Sequence, residues 1–229
     1  FAGVWQEDDV NAPFVDANGQ TNGKTNGEVY KVKPGNSKYV DVNKDGVYND
    51  ADQGIIGCGQ PTFNWGWNNT FNYKNFDFSF FVVGFHGFDI YNATHQMGYN
   101  LIKSQQMAGV TPMRELLNRW TPTNTNTDIP GFVKGGTENK DFFSTRFVEN
   151  GSFIKMKSIT LGYTLPEATC RSLGINNLRV YASVQNPFHI TKYSGLDPEA
   201  TMGSPLVQGV DWGAYPNSRN YLIGLNFSF

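Results

Sequence analysis

One stretch of the chain carries oxygen-bearing side chains at a spacing that suits a hard cation. In Asp41-Val-Asn43-Lys-Asp45-Gly46-Val47-Tyr-Asn49-Asp-Ala-Asp52, such side chains stand at loop positions 1, 3, 5, 9 and 12, with glycine at 6. Ca²⁺ takes about six to eight oxygen ligands, and a loop that alternates ligands with spacers wraps them around the ion. Gly46 permits the sharp turn, and Val47 at position 7 would offer its backbone carbonyl. Asp52 replaces the more usual glutamate at position 12, a shorter arm that can still coordinate. No helix pattern flanks the loop: Val40 precedes it and Gln53-Gly-Ile-Ile-Gly57 follows, so an EF-hand pair is not expected. The alternative is an Asx-rich turn without metal. Five matched positions are more than a turn needs, and the expectation is a structural Ca²⁺ held by Asp41, Asn43, Asp45, Val47, Asn49 and Asp52.

Other chemistry finds little support. His86, His95 and His189 have no carboxylate or cysteine partner at ligand spacing and read as polar or interface residues. No GxSxG elbow, P-loop or GxGxxG occurs, and nothing calls for an enzyme. Cys58 and Cys170 form no CxxC pair and read as two unpaired, inert thiols. Trp120, Tyr193, Trp212 and Tyr215 lie in loop-like segments, where they could stack on sugar rings, pack the loops together or meet a partner. A net charge of −2 gives no basic face for nucleic acid.

The elements that carry these residues are strands. In the run from Tyr221 to Phe229, Tyr221, Ile223, Leu225, Phe227 and Phe229 share one face, against Leu222, Gly224, Asn226 and Ser228. The pattern recurs with Phe63, Trp65, Trp67, Asn69, Phe71 and Tyr73, then with Phe76, Phe78, Phe80 and Val82. It returns with Ile159, Leu161, Tyr163 and Leu165, and with Leu178, Val180, Ala182 and Val184. Strands are expected at about 62–73, 76–85, 152–165, 177–190 and 219–229. A strand of about 9 to 11 residues crosses a bilayer at a tilt. The apolar face is loaded with Phe, Tyr and Trp near strand ends, as in the aromatic girdles of membrane barrels, and the other face suits a polar lumen.

Composition agrees: charged residues are 17%, aromatics 15%, and there are 25 glycines. No run of about 18 apolar residues offers a membrane-crossing helix. The connections run short (Lys74-Asn75), long (Phe85 to Gly151), middling (Pro166 to Asn176) and long (Thr191 to Arg219), an alternation that suits periplasmic turns and extracellular loops. Five strands cannot close a barrel without leaving edges in lipid, so further strands are expected from sequence upstream. Phe1-Ala2-Gly3 has no basic n-region, and the chain reads as a fragment.

Several segments together resemble the SusC/RagA family of TonB-dependent outer-membrane transporters. They are Lys33-Pro-Gly-Asn-Ser-Lys-Tyr39 running into the Asp41 loop, Pro61-Thr-Phe-Asn-Trp-Gly66 and Phe71-Asn-Tyr-Lys-Asn-Phe-Asp-Phe-Ser-Phe-Phe81. Asn118-Arg-Trp-Thr-Pro122, Phe153-Ile-Lys-Met-Lys-Ser-Ile-Thr-Leu-Gly-Tyr163, Leu178-Arg-Val-Tyr181 and Gly195-Leu-Asp-Pro-Glu199 continue the likeness in the family's order. The resemblance implies an all-β fold: the last antiparallel strands of a large transmembrane barrel of about 22 strands with long extracellular loops. Residues 1–229 would form the C-terminal part of that barrel, with 1–60 an extracellular loop holding the calcium-like segment 41–52. Implied partners are the rest of the barrel and its plug, a SusD-like surface lipoprotein, TonB through a missing N-terminal part, outer-membrane lipid, and a glycan or peptide substrate. The implied location is the outer membrane of a Gram-negative, Bacteroidetes-like cell. The competing expectation is a secreted, calcium-stabilised β-sandwich, an adhesin or carbohydrate-binding module.

Overall fold

The computed structural model describes residues 1–99, 113–131, 143–172, 174–200 and 208–228. The chain divides into two compact units, Phe1–Ile56 with Ala93–Val148, and Gly57–Asn92 with Glu149–Phe229.

The second unit is built on a five-stranded sheet. Its strands are β1 (Phe63–Tyr73), β2 (Phe76–His86), β3 (Phe153–Thr164), β4 (Asn177–Thr191) and β5 (Asn220–Ser228). Each neighbours its successor in sequence, and every pairing is antiparallel, so the sheet is a plain up-and-down meander. Each begins and ends within a residue or two of the range expected from period-two patterning. The turn between β1 and β2 is Lys74-Asn75, with Lys74 left-handed at φ 52°. Asn75 binds that turn to β3: its side-chain amide donates to the Thr164 carbonyl at 2.7 Å, and its carbonyl accepts from the Thr164 N–H at 2.8 Å.

The register sorts the side chains into two faces. Phe71, Phe78, Leu161, Ala182 and Ile223 pair in turn across all five strands, giving one apolar row. One residue along, Thr70, Ser79, Thr160 and Ser183 form a polar row on the opposite face, with the Thr160 and Ser183 hydroxyls 2.8 Å apart. The apolar face is open to its surroundings: Ile223 is 85% exposed, Leu225 60% and Trp67 55%. Rings rim it at both ends. Phe76 meets Tyr163 at 4.7 Å where the short turns lie, and Phe63 stacks on His86 at 4.9 Å where the long connections lie.

Two irregularities interrupt the ladder. The β3–β4 register shifts between Gln185 and Phe188, where Asn186 takes a positive φ, and the β2–β3 register shifts at Phe81/Val82. A bulge adds an unpaired residue and bends the strand. Here it leaves Lys157 of β3 without a ladder partner. At the long-connection end, Val83, Phe88, Ile90, Phe153 and Tyr193 make a small buried core.

The first unit lacks long elements. Gly3–Val4 pairs with Ser37–Lys38, and Pro13–Val15 with Thr21–Thr25. A one-turn helix, Asn26–Tyr30, starts at Thr25 with a reciprocal cap: Glu28 N–H donates to the Thr25 hydroxyl, and Thr25 N–H to the Glu28 carboxylate. Rings hold the unit together. Tyr30 stacks on Tyr48 at 5.0 Å and lies 5.7 Å from both Trp5 and Phe14, while Lys38 Nζ sits 4.6 Å over the Trp5 ring. A 3-10 helix runs over Arg114–Asn118.

Candidate functional site

Three arrangements could carry function: the two-faced wall, an ionic clamp on its polar face, and the Asp41–Asp52 loop.

On the polar face, Asp77 of β2, Gly162 of β3, Tyr181 of β4 and Gly224 of β5 pair in one row. Arg179 reaches across Gly162 and grips both oxygens of Asp77, with Nε 2.8 Å from Oδ1 and Nη2 on Oδ2. A Cβ at Gly162 would overlap both charged groups, so the ion pair needs glycine there. The Arg179 guanidinium stacks 5.0 Å from the Tyr181 ring, which in turn lies over Gly224. The result is a charged and aromatic strip running sideways over four strands.

Nearer the long connections, β3 presents Lys155, which is buried, to the Gly195-Leu-Asp-Pro-Glu199 segment. Its Nζ lies 2.8 Å from Asp197 Oδ2 and 2.7 Å from Glu199 Oε2, and the bulged Lys157 pairs with Glu199 Oε1. Asn217 closes the cluster, donating from its backbone N–H to Asp197 at 3.1 Å and from its side chain to both carboxylates. Burial alone would raise the Asp197 and Glu199 carboxyls. Together, the lysine hydrogen bonds and charges, joined at Asp197 by the Glu199 and Asn217 backbone N–H groups, outweigh it and hold both below their ordinary range. Strand and connection are thereby pinned at both ends of the segment 197–217. Sequence reasoning named these lysines only inside the segment that resembles the family; strict alternation from Ile159 would put both on the apolar face, and the bulge at Lys157 is what turns Lys155 to the polar one.

A second hydrogen-bond network braces the same end. Glu149 accepts from Asn92, from the Ser194 hydroxyl and from the Ser194 N–H, and Tyr193 donates to Asp211 at 2.6 Å. Burial and that carboxylate push the Tyr193 phenol far above its usual range. Tyr193 is therefore a loop-packing residue, not a platform for sugar. Trp120 is likewise engaged, its Nε1 donating to Gln6 at 3.0 Å. Trp212 and Tyr215 remain exposed, Tyr215 at 88%. His86 accepts from Trp65 Nε1 at 3.1 Å, and both cysteines are free, Cys58 exposed and Cys170 buried.

In the Asp41–Asp52 loop the structure brings the expected residues into one hydrogen-bonded coil. Asp41 Oδ2 accepts from Gly46 N–H at 2.8 Å and from the Tyr30 hydroxyl at 2.9 Å. Asp45 accepts from Val47 N–H and from the Asn43 and Asn49 amides. Asp52 accepts from Val42 and Asn49 N–H groups, and the Asn49 N–H bond is the first cause of its lowered pKa. Gly46 takes φ 84° with Val29 and Phe14 packed against it. Burial, then the bond to Asp41, pushes the Tyr30 phenol up, and burial pushes Tyr48 up to about 12. Among the described residues no group of three or more His, Cys, Asp or Glu side chains gathers at metal-binding distance. The other oxygens along this loop are the amide oxygens of Asn43 and Asn49 and the Val47 carbonyl.

The wall has close counterparts. The chain is 36% identical to TonB-dependent receptor P3 of Formosa agariphila over 202 residues, which is 86% of this chain and 19% of that protein. It is 32% identical to TonB-dependent receptor SusC of Bacteroides thetaiotaomicron over 199 residues, 86% of this chain and 18% of SusC. The chain belongs to the SusC-like TonB-dependent receptors. Among solved structures, the RagAB peptide importer in its open-open state matches with a TM-score of 0.61 at 29% identity, covering 74% of this chain and 17% of that one. The closed-closed state gives 0.64 at 25% identity, covering 94% and 20%. No protein-family model matches the chain. The chain spans 18–24% of the length of the curated TonB-dependent receptors it matches. Its β-rich fold matches barrel wall in the solved SusC-like structures.

Proposed function

We propose that the chain is the C-terminal part of the barrel of a SusC-like transporter that imports glycans or oligopeptides across the outer membrane. The observation that carries this reading is the meander with one open apolar face, rimmed by rings at both ends, and one polar face. Such a face is costly in water and natural in lipid. The strip from Asp77 to Tyr181 then faces a lumen, and the clamp at Lys155 holds an extracellular loop to the wall. Among the described residues, the outer strands β1 and β5 leave their far edges unpaired in the sheet. A barrel of about 22 strands would pair them with the remainder of the receptor. A SusD-like surface lipoprotein and TonB are the expected partners, and the RagAB peptide importer supports import as the class of activity.

A secreted β-sandwich would bury the apolar face against a second sheet, and the exposure of Ile223 and Leu225 counts against it. Expression of the chain alone without detergent separates the two readings. A barrel segment precipitates and is recovered only in detergent or denaturant. A soluble, cooperatively folding monomer would overturn the transporter reading.

A further inference from the structure

The Asp41–Asp52 coil holds a carboxylate oxygen with nothing to bind. Asp41 spends Oδ2 on Gly46 and Tyr30, while its Oδ1 is shut off from solvent and accepts no hydrogen bond. A charged oxygen stripped of water and given no donor is among the costlier things a fold can hold. No lysine or arginine relieves it: among the described residues Asp41, Asp45 and Asp52 take part in no ion pair, and nearby Lys38 is paired with Asp9. The Asp52 side chain stands beside that of Asp41. Two carboxylates so placed call for a shared cation or a shared proton. Backbone N–H groups already fix the orientation of Asp41, Asp45 and Asp52, which lowers the cost of ordering them around an ion.

We propose that this coil binds one calcium ion, with the buried Asp41 Oδ1 as its anchoring ligand and Asp45, Asp52, Asn43, Asn49 and the Val47 carbonyl as the other oxygen donors. The ion supplies the partner that Asp41 lacks. It also ties the coil to the Trp5–Tyr30–Tyr48 ring cluster through the Tyr30 hydroxyl, so that calcium orders the first unit from one corner. The inference stands apart from the transport reading, since it uses only residues of the first unit. Half-saturation is expected at about 10⁻⁴ to 10⁻³ M, the range of extracellular calcium modules. Magnesium, which demands a tighter octahedron and gives up its waters reluctantly, competes poorly.

The ring cluster supplies the assay. Tyr30 and Tyr48 are close enough to the coil to pass excitation to a bound lanthanide. The intact receptor, purified in detergent and stripped with chelator, is titrated with terbium(III) while its tyrosines are excited. The expected result is sensitised terbium emission that calcium quenches by displacement and magnesium does not. Asp41→Asn with Asp52→Asn should remove that component or weaken its affinity at least tenfold. Emission unchanged in the double variant, or absent from the wild type, overturns the proposal; absence would fit a proton shared between Asp41 and Asp52. Limited proteolysis of the wild-type receptor tests the same claim without a variant. Calcium should protect bonds between residues 41 and 52 relative to chelator, and equal cleavage in both conditions counts against the site.

Discussion

At the scale of single residues, the strongest electrostatic commitment is Lys155. It is buried with two carboxylates, and breaking a buried pair from one side costs about 3 to 5 kcal/mol. Lys155→Met should lower the receptor's unfolding midpoint accordingly, and should free the 192–219 connection to protease. The same cluster sets an acid limit. Asp197 and Glu199 have pKa values below their unfolded ones, so their stabilisation is complete above the ordinary carboxylate range near about 4. It is lost as pH falls through the lowered folded values. A pH series of unfolding midpoints should therefore be flat at neutral pH and fall below that range, and Lys155→Met should flatten the fall. Little of this was legible in the sequence. Lys155 and Asp197 stand far apart in the chain, and only the folded strand shows that one meets the other. The calcium-type loop was legible for the opposite reason: all its ligands lie within one short segment, where spacing alone reports geometry.

At the scale of elements, alternation over about ten residues decided the strands, because a one-residue slip would turn every ring to the wrong face. That is why β1 to β5 could be read from sequence and why their bounds shifted by so little. The bulge at Gln185–Phe188 was not read, although Asn186-Pro187 is a combination that disrupts a ladder. The short strands of the first unit were also out of reach. They are two to five residues long and are held by contacts between rings distant in sequence. The expectation for Phe229 falls outside the described residues, and the apolar row is described as far as Phe227. Two substitutions test the two faces. Ile159→Arg on the apolar face should cost about 2 to 4 kcal/mol near the bilayer midplane, whereas Thr160→Arg on the polar face should cost far less. Gly162→Leu drives a side chain between Asp77 and Arg179 and should cost about 1 to 3 kcal/mol by overpacking, with loss of the ion pair. Heat-modifiability of the folded barrel on gels would rank these variants.

At the scale of the whole molecule, the meander is a segment of wall, and its meaning depends on what lies against each face. On the proposed reading, lipid outside and a plugged lumen inside would explain the open aromatic face, the polar strip and the free outer edges of β1 and β5 together. The same arrangement assigns the Lys74-Asn75 turn and the 165–176 connection to the periplasmic side, and the long connections to the cell exterior. The most direct measurement is a nitroxide scan of positions 221 to 228 in the intact receptor reconstituted in lipid. Collisions with oxygen, which concentrates in the bilayer, should peak at positions 221, 223, 225 and 227. Collisions with a water-soluble nickel chelate should be low at those same positions. A profile without the two-residue period, or nickel access at positions 223 and 225, would contradict the assignment of this face to lipid.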